Sequence, residues 1–321
     1  MILAHRIRMY PNDVQATYFV RACGVARFAW NWALAEWKRM YEAGEQVSEA
    51  ELRKKLNAVK RREFPWMLGV TKCAPQLAIK DLGVAFENFF KGRTGFPNFK
   101  KKAHNESFRI SNDQFVIEGR KIRIPNLGWV RLAEELRFGG EIKILGAAIS
   151  RLAAGWYVSV QVKMADREPI HDESGPKVGL RLSDEAMVTL SDGSMPGELP
   201  KEHGALLLRA RRLKRSLSRK VGGDGEKMPS RNFRRAQRKL ERLQTRLANV
   251  RNDALHKVTT KLTRTYGMIE ASPEFLQAQG KRRKSDPLRP TRVASAYEFR
   301  RQLEYKAKIT GSRLSGIRKS E

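Results

Sequence analysis

Arginines between residues 205 and 264 carry the clearest chemical signal in this sequence. The window holds about 19 Lys and Arg against about four Asp and Glu, so it contains roughly half of the net charge of +30. Acidic partners at i+4 are nearly absent, and like charges therefore repel along any helix formed there. A phosphate backbone would neutralise them with counterion release, and guanidinium groups also stack on bases. We therefore expect nucleic-acid contacts from Arg211, Arg212, Arg215, Arg219, Lys220, Arg234, Arg235, Arg238, Arg242 and Arg246. The alternative is an ordinary solvated face.

Other chemistries have no matching residue pattern. Cys23 and Cys73 form no CxxC pair, which excludes a cysteine zinc finger and a disulfide framework, and both are expected to be small core residues. The five histidines show no HExxH spacing, and no GxGxxG or GxxxxGK[ST] motif indicates a nucleotide-driven motor. The opening MILAHRIRMYP becomes charged after four residues, so we expect no signal peptide and a cytoplasmic protein without membrane contacts.

Two long helices must position the arginines. The chain has 321 residues with 41% hydrophobic and 31% charged side chains, a composition typical of a water-soluble protein of two or more domains. A heptad-like apolar stripe along the second helix predicts packing of one face against a partner. Its members are Ala236, Leu240, Leu243, Leu247, Val250, Ala254, Val258 and Leu262. A basic helical hairpin is therefore predicted over 205–264, with its connection at the glycines of 222–225.

The first half of the chain reads as a helical bundle beside a small β domain. Residues 2–9 predict a strand, and helical spacing begins at Asp13, at 48–62 with a capping pattern that starts at Ser48, and at 75–90. Strands are predicted at 115–117, 121–124, 142–145, 148–152 and 156–164, the last with clean alternation. They form a small antiparallel barrel or sandwich that the opening strand could join. Phe96, Phe99 and Phe108 either stack bases or fill the end of this barrel.

The second half begins with a linker over 166–176 and turns to α/β structure. Strands are predicted at 177–182 and 187–190, followed by a turn at 191–193. A basic stretch over 281–287 precedes a final helix at about 294–308.

Several motifs resemble, in order, those of the TnpB family, the transposon-encoded RNA-guided nucleases ancestral to type V CRISPR effectors. The resemblance covers nearly the whole chain, and its motifs are weak singly but specific together. They are Arg8-Met9-Tyr10-Pro11-Asn12, Gly24-Val25-Ala26-Arg27-Phe28-Ala29-Trp30-Asn31, Ala74-Pro75-Gln76, Gly95-Phe96-Pro97-Asn98-Phe99-Lys100-Lys101-Lys102, Pro125-Asn126-Leu127-Gly128, Arg251-Asn252-Asp253-Ala254-Leu255-His256-Lys257 and Glu298-Phe299-Arg300-Arg301-Gln302-Leu303-Glu304-Tyr305-Lys306-Ala307.

This resemblance implies an α+β multidomain fold. An oligonucleotide-binding-like β-barrel (1–11 and 92–168) would be interrupted by a helical recognition bundle (12–91). A truncated RuvC-like (RNase H-fold) α/β domain (177–321) would follow, with the basic hairpin (205–264) inserted and no zinc finger.

The same resemblance implies that the nuclease site is degenerate. The family strand Val-Gly-Ile-Asp-Leu-Gly reads here with Arg181 at the Asp position, and Glu270 stands where a second carboxylate is expected. The third carboxylate and the zinc cysteines should follow the final helix, and we expect them to be absent. Two-metal hydrolysis needs several carboxylates, so we expect no enzyme activity, no Mg or Zn site and no cofactor besides a guide RNA.

The implied function is RNA-guided DNA binding that represses transcription by excluding RNA polymerase from a promoter, in the cytoplasm at the nucleoid. Lys72, Gln76 and Asn112 would read a short motif beside the target. Contacts to guide RNA and heteroduplex would come from the hairpin and from Arg27, Lys100, Lys101, Lys257, Arg300, Arg301 and Lys306. The alternatives are an RNA-binding protein without a DNA target, a decaying nuclease relic, and a nuclease with unconventional metal ligands.

Overall fold

Two compact units, residues 1–165 and 166–321, make up the computed structural model. The structure describes residues 1–102, 106–138, 141–153, 155–165, 170–171, 175–182, 188–196, 199–220, 230–272 and 292–316. The predicted hairpin connection at 222–225, the basic stretch at 281–287 and most of the linker at 166–176 lie outside these ranges. None of the described helices is long and apolar enough to cross a membrane.

A seven-stranded antiparallel sheet forms the first unit. The strands are β1 (Ile2–Tyr10), β2 (Ser107–Ser111), β3 (Val116–Glu118), β4 (Lys121–Ile124), β5 (Gly128–Leu132), β6 (Ile142–Leu152) and β7 (Gly155–Met164). Their order is β2-β6-β7-β1-β5-β4-β3, so the opening strand joins the sheet between β7 and β5. Val158, Val160 and Val162 are fully buried, which confirms the alternation predicted for β7.

One strand prediction is wrong. The sequence suggested separate strands at 142–145 and 148–152, whereas β6 runs unbroken with a register shift between Ile144 and Gly146. A Cβ at Gly146 would stand 3.1 Å from the Ile110 carbonyl oxygen, so glycine permits the close approach of β2. The glycine therefore marks a bulge within one strand and does not end it.

Three helices are inserted between β1 and β2. They are α1 (Asp13–Glu42), α2 (Glu49–Glu63) and α3 (Cys73–Phe90), with a 3-10 turn at Pro65–Gly69 between α2 and α3. A second 3-10 turn, Asn112–Gln114, follows β2. The Ser48 hydroxyl accepts a hydrogen bond from the Glu51 amide, as the capping pattern predicted. Phe19 of α1 packs on Phe108 and Trp156 of the sheet. Phe108 is 2% exposed, so it fills the core and is not available to stack bases.

A four-stranded mixed sheet organises the second unit. The strands are β8 (Lys177–Leu182), β9 (Val188–Leu190), β10 (Met268–Ala271) and β11 (Arg313–Gly316), in the order β11-β10-β8-β9. β8, β10 and β11 are parallel, and β9 is antiparallel to β8. The helices are α4 (Lys201–Lys220), α5 (Arg231–Thr265) and α6 (Arg292–Thr310). The core joins Leu255 and Leu262 of α5 and Phe299 of α6 to Ile269.

Candidate nucleic-acid interface

The two basic helices pack through the apolar stripe that the sequence predicted. Leu206 and Ala210 of α4 form a cluster with Leu247 of α5, and Leu240 and Leu243 pack against its edge. Further along α5, the stripe is buried at Ala254, Val258 and Leu262. One face of each helix is therefore used for packing, and the basic faces point away from it.

Arginines on these outer faces are exposed and almost all unpaired. Arg246 lies 3.8 Å from a carboxylate oxygen of Glu202, and Lys257 forms an i,i+4 pair with Asp253 at 2.7 Å. Within the described part of the chain, the other exposed arginines that the sequence proposed for nucleic-acid contacts have neither a hydrogen-bond nor an ion-pair partner. They are Arg211, Arg212, Arg215, Arg219, Arg234, Arg235, Arg238 and Arg242. The Lys220 side chain lies outside the described atoms. This surface has the charge and access that a polyanion requires.

The three candidate motif-reading residues lie on α3 and on the 3-10 turn that follows β2, a strand that contacts α3. Lys72 is exposed at the start of α3, Gln76 follows one turn later, and Asn112 is exposed in the 3-10 turn after β2. The Cys73 sulfur lies 3.2 Å from the Ser111 hydroxyl, which links the two elements across 38 positions. The hydrogen bond from Ser111 to Asp113 (2.5 Å) lowers the pKa of that carboxyl, with a smaller contribution from the charge of Lys72.

A cavity of about 310 Å³ opens at this junction. Its lining comprises Lys60, Met67, Leu68, Val70, Thr71, Lys72, Pro75, Gln114, Pro125 and Asn126. Gln114 is not among the residues proposed from the sequence, but it lies in the same short turn as Asn112 and lines this cavity. Its amide donates to Asp113 at 2.8 Å. The cavity brings Lys72 and Gln114 together, so polar groups from both elements can face one ligand.

The basic loop after α3 is bound to α1 through backbone atoms. Asn31 accepts from the Lys100 amide (2.8 Å) and donates to the Lys100 carbonyl (3.0 Å), while the Trp30 indole donates to the Asn98 carbonyl (3.0 Å). The Lys100 ammonium lies 3.7 Å from the centre of the Trp30 ring, and burial lowers its pKa. Lys101 is exposed beside it, and Arg27 is half-buried on α1.

The candidate cations on α6 are engaged within the protein. Arg300 donates to Glu304 (2.7 Å), and Arg301 binds Glu298 through two nitrogens (2.9 and 2.8 Å). Lys306 donates to the His256 carbonyl (2.7 Å) and to the hydroxyls of Thr259 (2.6 Å) and Thr260 (2.7 Å). Burial, with the nearby charge of Arg264, lowers the pKa of Lys306 to about 8. Because all three donors of its ammonium have internal acceptors, this geometry favours a role in joining α6 to α5.

Arg181 and Glu270, the two positions at which the resemblance implies a degenerate nuclease site, share one face of the second sheet. Val178 and Leu180 of β8 and Ile269 and Ala271 of β10 are buried in the core, so the residues between them point to the opposite face. Glu270 pairs in register with Gly179, and Arg181 follows two positions further along β8. Arg181 is exposed and Glu270 is half-buried.

Relatives settle the family. The chain is 31% identical to a protein of Escherichia coli K12 named as an RNA-guided DNA endonuclease, InsQ, over 98% of this chain and 80% of that protein. The chain belongs to the TnpB family. Residues 1–46, which contain β1 and α1, match the family described as the helix-turn-helix domain of the IS605 OrfB protein. Residues 159–272 match the IS605 OrfB family described as "Probable transposase".

Two further similarities agree with a TnpB-family chain. It is 28% identical to a protein of Streptomyces pristinaespiralis named as an RNA-guided DNA endonuclease, over 97% of this chain and 76% of that protein. The fold resembles a solved Cas12f1 in complex with sgRNA and target DNA, with a TM-score of 0.56 and 12% identity, over 93% of this chain and 72% of that one. Of the α+β multidomain fold expected from the sequence, this similarity supports the mixed architecture of helices and sheets.

For this TnpB-family chain, the described donor set does not fit the metal pair of a nuclease. Among the described residues of β8 and β10, the face opposite the core carries one carboxylate, Glu270, and the permanently charged guanidinium of Arg181 two positions beyond its register partner Gly179. Among the described residues, no group of three or more His, Cys, Asp or Glu side chains could hold a metal ion. Two-metal hydrolysis requires several carboxylates around the ions. No cleavage step can therefore be derived from the described residues.

Proposed function

We propose that this chain binds DNA at sites matched by a guide RNA, does not cut them, and represses transcription by occupying promoters. The main support is the position of Arg181. Its cationic side chain lies on the same sheet face as Glu270, and the resemblance implies a metal-binding Asp at position 181. Replacing Asp by Arg changes the local charge by about two units and adds a group that stays protonated. Exclusion of RNA polymerase would then follow from occupancy alone.

Guide RNA and target DNA are the proposed partners. InsQ is named as RNA-guided, and the Cas12f1 structure contains sgRNA and target DNA. The unpaired arginines of α4 and α5 supply a surface for the phosphates of the guide and the heteroduplex. In this proposal the first sheet is the oligonucleotide-binding-like barrel, α1–α3 are the recognition bundle, and the second unit is an inactive RuvC-like domain without a zinc finger.

The junction of α3 with the turn after β2 is the proposed reader of the adjacent DNA motif. Lys72, Gln76 and Asn112 were proposed from the resemblance, and we add Gln114 because it lines the same cavity as Lys72. Gln and Asn amides can donate and accept in one plane, which suits readout of base edges. A Gln76→Ala variant should keep its RNA and lose preference among targets that differ in the flanking bases.

Co-purified RNA tests the proposal most directly. RNA from the purified protein is sequenced and compared with genomic promoters, and the complex is footprinted on a matched promoter and on a scrambled one. We expect one discrete RNA species and protection of the matched duplex alone. RNA without guide-matched protection would favour an RNA-binding protein without a DNA target, and the absence of stable complex would favour a relic.

Cleavage assays test the inactive site. The RNA-loaded complex is incubated with matched duplex and Mg²⁺ or Mn²⁺, and products are resolved on a denaturing gel. We expect binding without cleavage, and Glu270→Ala should leave both results unchanged. Cutting by the wild type that Glu270→Ala abolishes would overturn the proposal and identify a nuclease with unconventional ligands.

A further inference from the structure

An open cleft of about 460 Å³ lies between α1 and the 3-10 turn Pro65–Gly69. Its lining comprises Gly24, Arg27, Phe28, Asn31, Trp32 and Trp66. The volume falls within the range of small-molecule sites. None of these residues lines the cavity beside Lys72, so the cleft is distinct from the proposed motif-reading site.

Aromatic rings form the walls of the cleft, and one of these rings, the Trp66 indole, is exposed to solvent. Phe28 packs edge-on against Trp66, with ring centres 5.0 Å apart at 78°, and against Phe64 at 4.8 Å. Trp66 is nevertheless 46% exposed. Phe28 therefore fixes the indole from the side, and a planar group could enter the cleft and contact the exposed indole surface.

Polar groups in the cleft differ in what they can still bind. Asn31 uses its amide on both backbone atoms of Lys100, so it holds the wall in place. Arg27 is half-buried, and within the described residues its guanidinium has no hydrogen-bond or ion-pair partner. No acidic residue lines the cleft. The site thus offers a free guanidinium beside aromatic surface, which matches an anionic planar ligand.

Gly24 leaves the backbone of α1 uncovered within the cleft. Glycine inside a helix costs about 1 kcal/mol relative to alanine, and a packing reason usually explains it, as at Gly83, where a Cβ would stand 2.8 Å from the Glu49 Cβ. At Gly24, in the middle of α1, a Cβ would meet no atom within 4 Å. The packing around Gly24 therefore leaves the helix backbone accessible inside the cleft, as the packing around Gly204 does on α4, and a ligand in the cleft can approach this backbone.

We propose that this cleft binds one unpaired nucleotide, with its base stacked in the aromatic cleft against Trp66 and Arg27 on its phosphate or base edge. Every base has a π-face, so stacking in this site can accept any of the bases. Unpaired bases occur in guide RNA and in DNA displaced from a duplex. The assignment deepens the proposed function and rests on it for the source of the nucleotide, but the cleft can be tested on isolated oligonucleotides.

Glycine substitutions separate ligand binding from folding. Gly24→Ala and Gly24→Leu add side chains that improve helix propensity and fill the cleft, while Gly204→Ala and Gly204→Leu make the same change on α4, where a Cβ also meets nothing within 4 Å. We expect all four variants to melt at or above the wild-type temperature. Binding of a uridine decamer and a thymidine decamer should weaken about 3-fold for Gly24→Ala and about 10-fold or more for Gly24→Leu, with Gly204 variants unchanged.

Trp66 variants test the stacking partner. Trp66→Ala should weaken binding of the preferred decamer about 10-fold, and Trp66→Phe should retain most of it because a ring remains. A decamer that carries 5-bromouracil should photocross-link to Trp66, and the cross-link should disappear in Gly24→Leu. A stronger effect on the RNA decamer points to guide RNA as the source, and a stronger effect on the DNA decamer points to a displaced strand.

Two results would overturn the cleft assignment. One is wild-type affinity in both Gly24→Leu and Trp66→Ala, and the other is equal weakening by the Gly24 and Gly204 series. In either case, a protein that still co-purifies with discrete RNA and protects a matched promoter would leave the proposed function standing. Conversely, cleft-dependent decamer binding without promoter protection would keep the site and refute the function.

Discussion

Cations serve different purposes in the two units of this protein. In residues 1–165, many rest over aromatic rings, with Lys100 at 3.7 Å from Trp30 and Arg131 at 4.8 Å from Tyr10. On the outer faces of α4 and α5, the described arginines have neither a ring nor, except at Arg246, a carboxylate beside them. The first arrangement contributes to folding, and the second leaves charge available for a partner.

The two arrangements of cations have opposite effects on the stability of the fold. A cation over a ring contributes about 0.5–2 kcal/mol to the fold, depending on its exposure. Unpaired arginines along one helix face repel each other instead, and bound phosphates relieve that repulsion more than dissolved salt does. The hairpin should therefore be the part of the molecule whose stability and affinity respond most to nucleic acid.

Neutralising the hairpin should give the largest effect. In a variant with Arg211, Arg215, Arg238 and Arg242 changed to Gln, RNA affinity in low salt should fall by about 100-fold or more, because four phosphate contacts are lost. The slope of log K against log salt should become shallower by about 3 for single-stranded RNA. Filter binding over a salt series and thermal melting would measure both quantities, and the melting temperature should not fall.

The matched control changes cations that rest over a ring in the first unit. Arg8 and Arg131 both lie over Tyr10, at 5.4 and 4.8 Å. Changing both to Gln should lower the melting temperature and reduce affinity far less than the hairpin variant does. If this pair matters as much for RNA as the hairpin, the proposed division between the units is wrong.

Asn31→Ala should give the next largest effect, this time on stability. The variant leaves the Lys100 amide and carbonyl without the side chain that binds them, at a cost of about 2 kcal/mol. Urea unfolding would measure the loss, and Asn98→Ala is a suitable comparison because its amide makes one long contact of 3.4 Å. Equal stability of Asn31→Ala and the wild type would show that the loop is not held this way.

Lys306 should give the smallest effect, visible as a pH dependence. Burial lowers its pKa to about 8 from an ordinary value of 10.5, so the unfolded chain binds more protons than the folded one between these values. The free energy of unfolding should therefore rise with pH over about 8 to 10 in the wild type, and less so in Lys306→Met. Urea unfolding at several pH values would check it, and identical slopes would refute the burial of this ammonium.

Local signals were enough to predict much of the secondary structure. The Ser48 cap, the alternation along β7 and the apolar stripe of α5 are each read from neighbouring residues, and each is confirmed. The separate strands expected at 142–145 and 148–152 are one strand, β6, in which the close approach of β2 at Gly146 accompanies a bulge. That approach is a contact between distant segments, so no local pattern contains it.

Candidate site residues divide in the same way. Sequence could propose Lys72 and Asn112 separately, but only packing of α3 against β2 brings their elements together and places Gln114 beside Lys72. The resemblance also implied that Lys306, like the hairpin arginines, contacts guide RNA and heteroduplex. Tertiary contacts give its ammonium three acceptors on α5 and leave the arginines exposed.

By itself, the sequence determined the family, the excess of positive charge and the arginine at position 181, because residue type and order are its direct content. Tertiary structure alone decided which cations are free, which helical glycines lack a packing role, and that Arg181 and Glu270 share one sheet face. The reason is physical. Contacts between segments far apart in the chain decide whether a cation is free, how closely two backbones approach, and which side chains share a sheet face. Those contacts exist only after the core has formed.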